Sequence, residues 1–153
     1  MTGTDGARQE LRLERLIPAS PERLFALWTE ATQIARWWAP DGYEAVVHDL
    51  DVRTGGRWRI VLLQAGGKMA AMGGFFHVVE PPRRLAFSWA WEEADGRHGA
   101  RTEVTVSFEP VPGGTRLILL QQGFDSKDAR DRHLGGWSAS VDRLMGLGRE
   151  ERQ

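Results

Sequence analysis

Cysteine is absent from this sequence of 153 residues. Disulfides, thiolate metal sites and cysteine nucleophiles are thereby excluded, and the cytoplasm is the default compartment. No charge of one sign prevails: 20 lysines and arginines against 21 aspartates and glutamates leave a formal charge of -1, with the signs interspersed. A nucleic-acid surface would need a basic stripe or cluster to draw phosphates, so no nucleic-acid partner is expected. Long apolar runs are missing too. No segment approaches the roughly 18 apolar residues of a membrane span, and the opening M-T-G-T-D-G-A-R-Q-E has no apolar core of the signal-peptide kind, so no membrane partner is expected. The spacings of phosphate-cradling loops and of the G-x-S-x-G nucleophile elbow do not occur. With cysteine also missing, familiar covalent catalysis is hard to assemble. His48 with Asp49 and Asp51 comes nearest to a metal cluster, but strand alternation sends both aspartates to the face opposite His48. No catalytic residue, metal or cofactor is assigned.

Tryptophan, by contrast, is plentiful, at seven residues. Indoles are large and each carries an N–H that wants a partner when buried, so they suit either an irregular core or the wall of an apolar cavity. The length fits one domain, able to bury about two thirds of the surface of its unfolded chain. Residues 1–10 are polar and expected to fray, 11–148 to form the domain, and 149–153 to fray again.

The order of elements is legible from periodicity. Residues 11–17 alternate as a strand that Pro18 closes. Ser20 as N-cap, Pro21 in the first turn and Glu22 predict a helix start. A second short helix is expected over residues 30–38, followed by six strands from residue 43 onward. Gly73 and Gly74 within one of those strands predict a bulge or sharp bend. A long helix begins near Ser126, with Ala129, His133, Trp137, Val141 and Leu144 along one stripe. Gly135 and Gly136 interrupt it, at roughly 1 kcal/mol each relative to alanine. They are expected to mark a close approach of this helix to the sheet or a curve around it. The functional counterpart is a void beside Trp137 that could hold a ligand.

W-x(8)-W-W at 28–38, R-T-G-G-R-W at 53–58, E-P-P-R-R-L at 80–85, F-S-W at 87–89, G-G-T-R-L at 113–117 and H-L-G-G-W at 133–137 occur in one order. Together they resemble the SRPBCC or START-like superfamily, in the branch related to the C-terminal domain of the activator of the Hsp90 ATPase. The resemblance spans about residues 11–147. It implies an α+β helix-grip fold of the START/Bet v 1-like type: a curved antiparallel sheet around a long C-terminal helix, in the order β, α, α, six β, α. It also implies an apolar ligand held between helix and sheet, and a structural role for the histidine ahead of the G-W pair. Function does not transfer with fold, and the superfamily includes carriers, receptors, cyclases, stress proteins and chaperone regulators.

Cavity candidates are Trp28, Trp38, Trp58, Phe87, Trp89, Trp91, Gln121, His133 and Trp137. His133 suits a general base, a ligand-orienting donor or a structural cap, and Gln121 a neutral hydrogen bond to a ligand. His77 with Glu80 is a further pair compatible with an outward face. Arg57, Arg59, Arg83 and Arg84 would imply an anionic ligand only if buried. Beside a pure scaffold role, three functions stay open. A binder of a hydrophobic or aromatic small molecule predicts a closed cavity above about 300 Å³ with few polar groups. An enzyme of cyclase or hydrolase type predicts titratable residues converging there. A protein-interaction or stress-response module, chaperone contact being the lesser expectation, predicts a filled cavity and an exposed apolar patch. A homodimer is compatible with the size.

Overall fold

A computed structural model describes residues 9–67 and 69–152. The chain starts with β1 (Gln9–Ile17) and turns at Pro18. Ser20 Oγ accepts the Arg23 amide at 3.0 Å and Pro21 opens α1 (Pro21–Thr29), which buries Leu24, Phe25, Leu27 and Trp28. The second helix is shorter than the sequence predicts: α2 covers only Ala31–Ile34. The amides of Trp37 and Trp38 then both turn back to the Ile34 carbonyl, at 3.2 and 3.1 Å. The turn buries Trp37 fully, with its N–H on the Leu27 carbonyl at 2.8 Å, and brings Trp38 against Trp58 and Trp137.

Six strands follow: β2 (Tyr43–Leu50), β3 (Arg57–Gln64), β4 (Met69–Glu80), β5 (Arg84–Trp91), β6 (Thr102–Val111) and β7 (Gly114–Phe124). They form one antiparallel sheet in the order β1-β7-β6-β5-β4-β3-β2. Alternation selects its inner face: Val104, Val106 and Phe108 of β6 and Leu117 and Leu119 of β7 are sealed, with polar neighbours outside. In β4 the register shift lies not at the glycine pair but between Phe76 and Val78. The glycines answer a close approach instead. A Cβ on Gly73 would lie 2.5 Å from the Trp58 carbonyl oxygen, and one on Gly74 would collide with that of Ser88.

The last element, α3 (Lys127–Arg152), is capped by Ser126, whose Oγ accepts the Ala129 amide at 3.0 Å. It runs against β1 and β7 and completes the helix-grip fold that the sequence predicts. Trp137, Val141 and Leu144 bury in the core, with Ala129 and His133 half-buried on the same stripe. At Gly135 and Gly136 the expectation of close approach is overturned. A Cβ at either would meet nothing within 4 Å, and both positions are exposed. Over Ala129–Ser140 α3 leaves space against part of the sheet, and near its end a Cβ on Gly148 would lie 3.1 Å from Ile17.

Of the residues expected to fray, 1–8 and 153 lie outside the described residues. Gln9 and Glu10 already pair with Phe124 and Gln122, and the helical backbone continues to Arg152. Among the described residues no helix is long and apolar enough to cross a membrane.

Candidate functional site

Where α3 stands off the sheet, a cavity of about 440 Å³ remains. Its helix wall is Ala129, Arg132, His133, Gly136, Trp137 and Ser140. Opposite stand Leu62 of β3, Met72 of β4, Trp89 and Trp91 of β5, Thr102 of β6 and Phe124 of β7, with Trp38 behind α2 closing the inner end. Glu93, Gly99 and Ala100, from the hairpin between β5 and β6, edge the mouth. The cavity is open rather than closed as the sequence-based reading of a binder expects: Trp91 is 39% exposed, and Gly136, Arg132, Glu93 and Asp125 reach solvent.

Of the nine candidates, Trp38, Trp89, Trp91, His133 and Trp137 line this space. Trp28, Trp58 and Phe87 do not. They surround a separate void of about 20 Å³ deeper in the core, which Trp38 also borders. Trp58 donates its N–H to the Ser88 carbonyl at 3.0 Å, and the buried Trp28 N–H has no acceptor among the described residues. Gln121 is fully buried and is spoken for at both ends of its amide. Trp137 Nε1 donates to Gln121 Oε1 at 2.7 Å, and Gln121 Nε2 donates to Thr102 Oγ1 at 2.7 Å, which in turn donates to the Trp89 carbonyl at 3.1 Å. Gln121 therefore fixes Trp137 rather than meeting a ligand, correcting its place among the candidates. A buried amide bonded at both its oxygen and its nitrogen holds one geometry firmly.

Gly136, tied by the sequence to a void beside Trp137, borders the cavity, and Leu62, Met72, Thr102 and Phe124 are wall residues outside the nine candidates. For Leu62, Met72 and Thr102 a signal was present in strand alternation, since each shares its strand's inward parity with a buried neighbour. Phe124 breaks parity with Leu117, Leu119 and Gln121 because Gly123, at φ +102°, and the shift opposite Gln9 and Glu10 insert one residue.

Residues 18–148 match the family described as Activator of Hsp90 ATPase homolog 1-like protein. The chain belongs to that family. The AHSA1 protein from Silicibacter pomeroyi is 33% identical, with 94% of this chain and 99% of that one superposed at a TM-score of 0.84. A protein from Chromobacterium violaceum is 26% identical over 91% of this chain and 96% of its own, also at 0.84. One from Rhodobacter sphaeroides is 25% identical over 90% of each chain, at 0.78. Among curated proteins, none matches.

In this Activator of Hsp90 ATPase homolog 1-like chain, His133 is the titratable group with the most altered environment. Its ring lies 4.7 Å from that of Trp89, 4.9 Å from Phe124 and 6.2 Å from Trp91. Burial among these rings pushes its pKa down to about 4, and the neighbouring Arg132 charge adds to the shift. The imidazole is neutral at pH 7, which suits a hydrogen-bond donor more than a general base. Because the folded pKa is depressed below the unfolded value of about 6.5, the unfolded chain binds the proton more readily. Stability is therefore full above pH 6.5 and is lost as pH falls from about 6.5 to 4. After discounting for the part of the ring that meets solvent, we expect about 1–2 kcal/mol less stability at pH 4.5 than at pH 7 from this residue. Urea unfolding at both pH values would show that difference in the wild type, and His133→Phe would lack it.

The remaining polar candidates lie outside the cavity. His77, at the β4 register shift, pairs with Glu103 at 3.0 Å and approaches Arg101 at 3.2 Å rather than Glu80. The ladder also shifts at His48, so its ring reaches Asp49 at 3.4 Å on the surface despite the alternation argument that separates them. Arg59 is held by Glu92 through two bonds of 2.6 and 3.0 Å, and this hydrogen bonding keeps the Glu92 carboxyl below its usual pKa. Arg84 pairs with Glu80 at 3.3 Å. None of these four is among the residues bordering the cavity.

Proposed function

We propose that this protein binds an apolar or aromatic small molecule in the cavity between α3 and the sheet. One observation carries the reading: four indoles, Trp38, Trp89, Trp91 and Trp137, converge on an unfilled space of about 440 Å³, within the range of small-molecule sites. The space far exceeds the water-sized voids that a packed interior tolerates, and it opens to solvent past Trp91 and Gly136, which gives a ligand a way in. The interaction-module reading calls for a filled cavity, and the enzymatic one for convergent titratable groups. Here Glu93, Asp125 and Arg132 sit at the exposed rim, and His133 is a neutral, weakly basic imidazole. A cytoplasmic setting belongs to the same proposal. The test is a fluorescence titration with 2-ethylnaphthalene. Saturable quenching of the tryptophans at one equivalent supports the reading, and failure of this and of related two-ring compounds to bind sinks it.

A further inference from the structure

The inner wall of the cavity carries two polar hydrogens with no acceptor among the described residues. Trp91 Nε1 donates to His133 Nε2 at 3.4 Å. An indole N–H can only donate, so Nε2 is the accepting nitrogen and the His133 proton resides on Nδ1, which no described residue accepts. The Trp89 indole N–H, on a residue only 5% exposed, likewise has no acceptor among the described residues, and its ring lies 4.7 Å from the imidazole. Every other indole of the wall is engaged: Trp38 with Met72 Sδ, Trp91 with His133 and Trp137 with Gln121. The wall hydroxyls are engaged too. Thr102 bridges Gln121 and the Trp89 carbonyl, and Ser140 bridges Arg143 and the Trp38 carbonyl.

The interior thus presents spare side-chain donors and no buried charge. A ligand carboxylate drawn inside would shed its hydration with no cation beside it, since Arg132 sits at the exposed rim and His133 is neutral. An ammonium likewise finds carboxylates only at the exposed rim, in Glu93 and Asp125, while the spare inner groups are donors. The complement is an uncharged oxygen acceptor on an apolar ring system. We propose that the cavity takes uncharged aromatic carbonyl compounds, the oxygen accepting from His133 Nδ1–H and Trp89 Nε1–H while the rings lie among the indoles. This rests on the ligand-binding reading above.

Three two-ring probes of matched shape separate the alternatives: 2-acetonaphthone, 2-ethylnaphthalene and 2-naphthoate, titrated calorimetrically into the wild type and into His133→Phe. In the wild type the ketone is expected to bind roughly 5- to 10-fold more tightly than the hydrocarbon, and the naphthoate about 10-fold or more weakly than the ketone. His133→Phe keeps a ring against Trp89 and Phe124 but removes the Nδ1–H, so the ratio of ketone to hydrocarbon affinity should fall most of the way to one, whatever the new ring does to both affinities. Infrared spectra of the bound ketone give a readout independent of any variant, with the carbonyl stretch moved to lower frequency by donated hydrogen bonds. A hydrocarbon that binds as tightly as the ketone, or a naphthoate that binds best, overturns this assignment and leaves ligand binding standing. If none of the three binds, the ligand-binding reading falls with it.

Discussion

Gly136→Phe is expected to abolish ligand binding while leaving the protein folded. Gly136 borders the cavity from α3, is exposed, and would carry a Cβ into open space, so a phenyl ring at this position projects over or into the cavity without meeting backbone. Replacing a helical glycine also removes its conformational penalty, which favours the variant by a few tenths of a kcal/mol up to about 0.5. Loss of affinity of about 100-fold or more corresponds to about 2.7 kcal/mol of displaced contact, well within what an aromatic side chain in the binding volume removes. Gly135→Phe is the control. Its neighbouring Cβ also meets open space but it does not border the cavity, so binding should match the wild type. Titration of both variants with 2-ethylnaphthalene, alongside their urea unfolding curves, separates blockage from damage.

Trp137→Ala should have the largest effect on stability, a loss of about 3–5 kcal/mol by the usual cost of truncating a large buried aromatic. The indole is 7% exposed, stacks on Trp28 at 5.8 Å and 23°, and meets Trp38 edge-on at 5.4 Å. Its removal also leaves Gln121 Oε1 buried without the 2.7 Å bond that now satisfies it, a further cost of about 1–3 kcal/mol where water does not enter. Trp137→Phe keeps most of the packing and should recover the larger part of the loss. Denaturant unfolding of the two variants measures this directly.

These two neighbours on α3 show where the sequence was readable and where it was not. The stripe Ala129, His133, Trp137, Val141 and Leu144 declares the inner face of a helix by its spacing alone, and the strand order follows from alternation in the same way. The glycine pair is legible as a departure from helix propensity, but its cause is not, because space on one side of a helix depends on how far distant strands stand from it. Close approach turned out to be the reason for Gly73 and Gly74, whereas nothing crowds Gly135 and Gly136. Gln121 reads as a polar residue at an inward position, a reasonable ligand contact, until its partners from β6 and α3 are seen to use its whole amide. Trp58 and Phe87 have the correct inward parity, but which part of a continuous inner face borders the cavity is set by the placement of Trp38, which follows from the turn after α2. Phe124 was invisible because one inserted residue near Gly123 changes the face.

The most direct test of the account follows the indole N–H signals of the seven tryptophans in a nitrogen-15 correlation spectrum while 2-acetonaphthone is added. The account predicts that the signals of Trp89, Trp91, Trp38 and Trp137 move together in a saturable way and that Trp37, held on the Leu27 carbonyl, stays in place. Saturable binding of the ketone with the four cavity indole signals unmoved would contradict it.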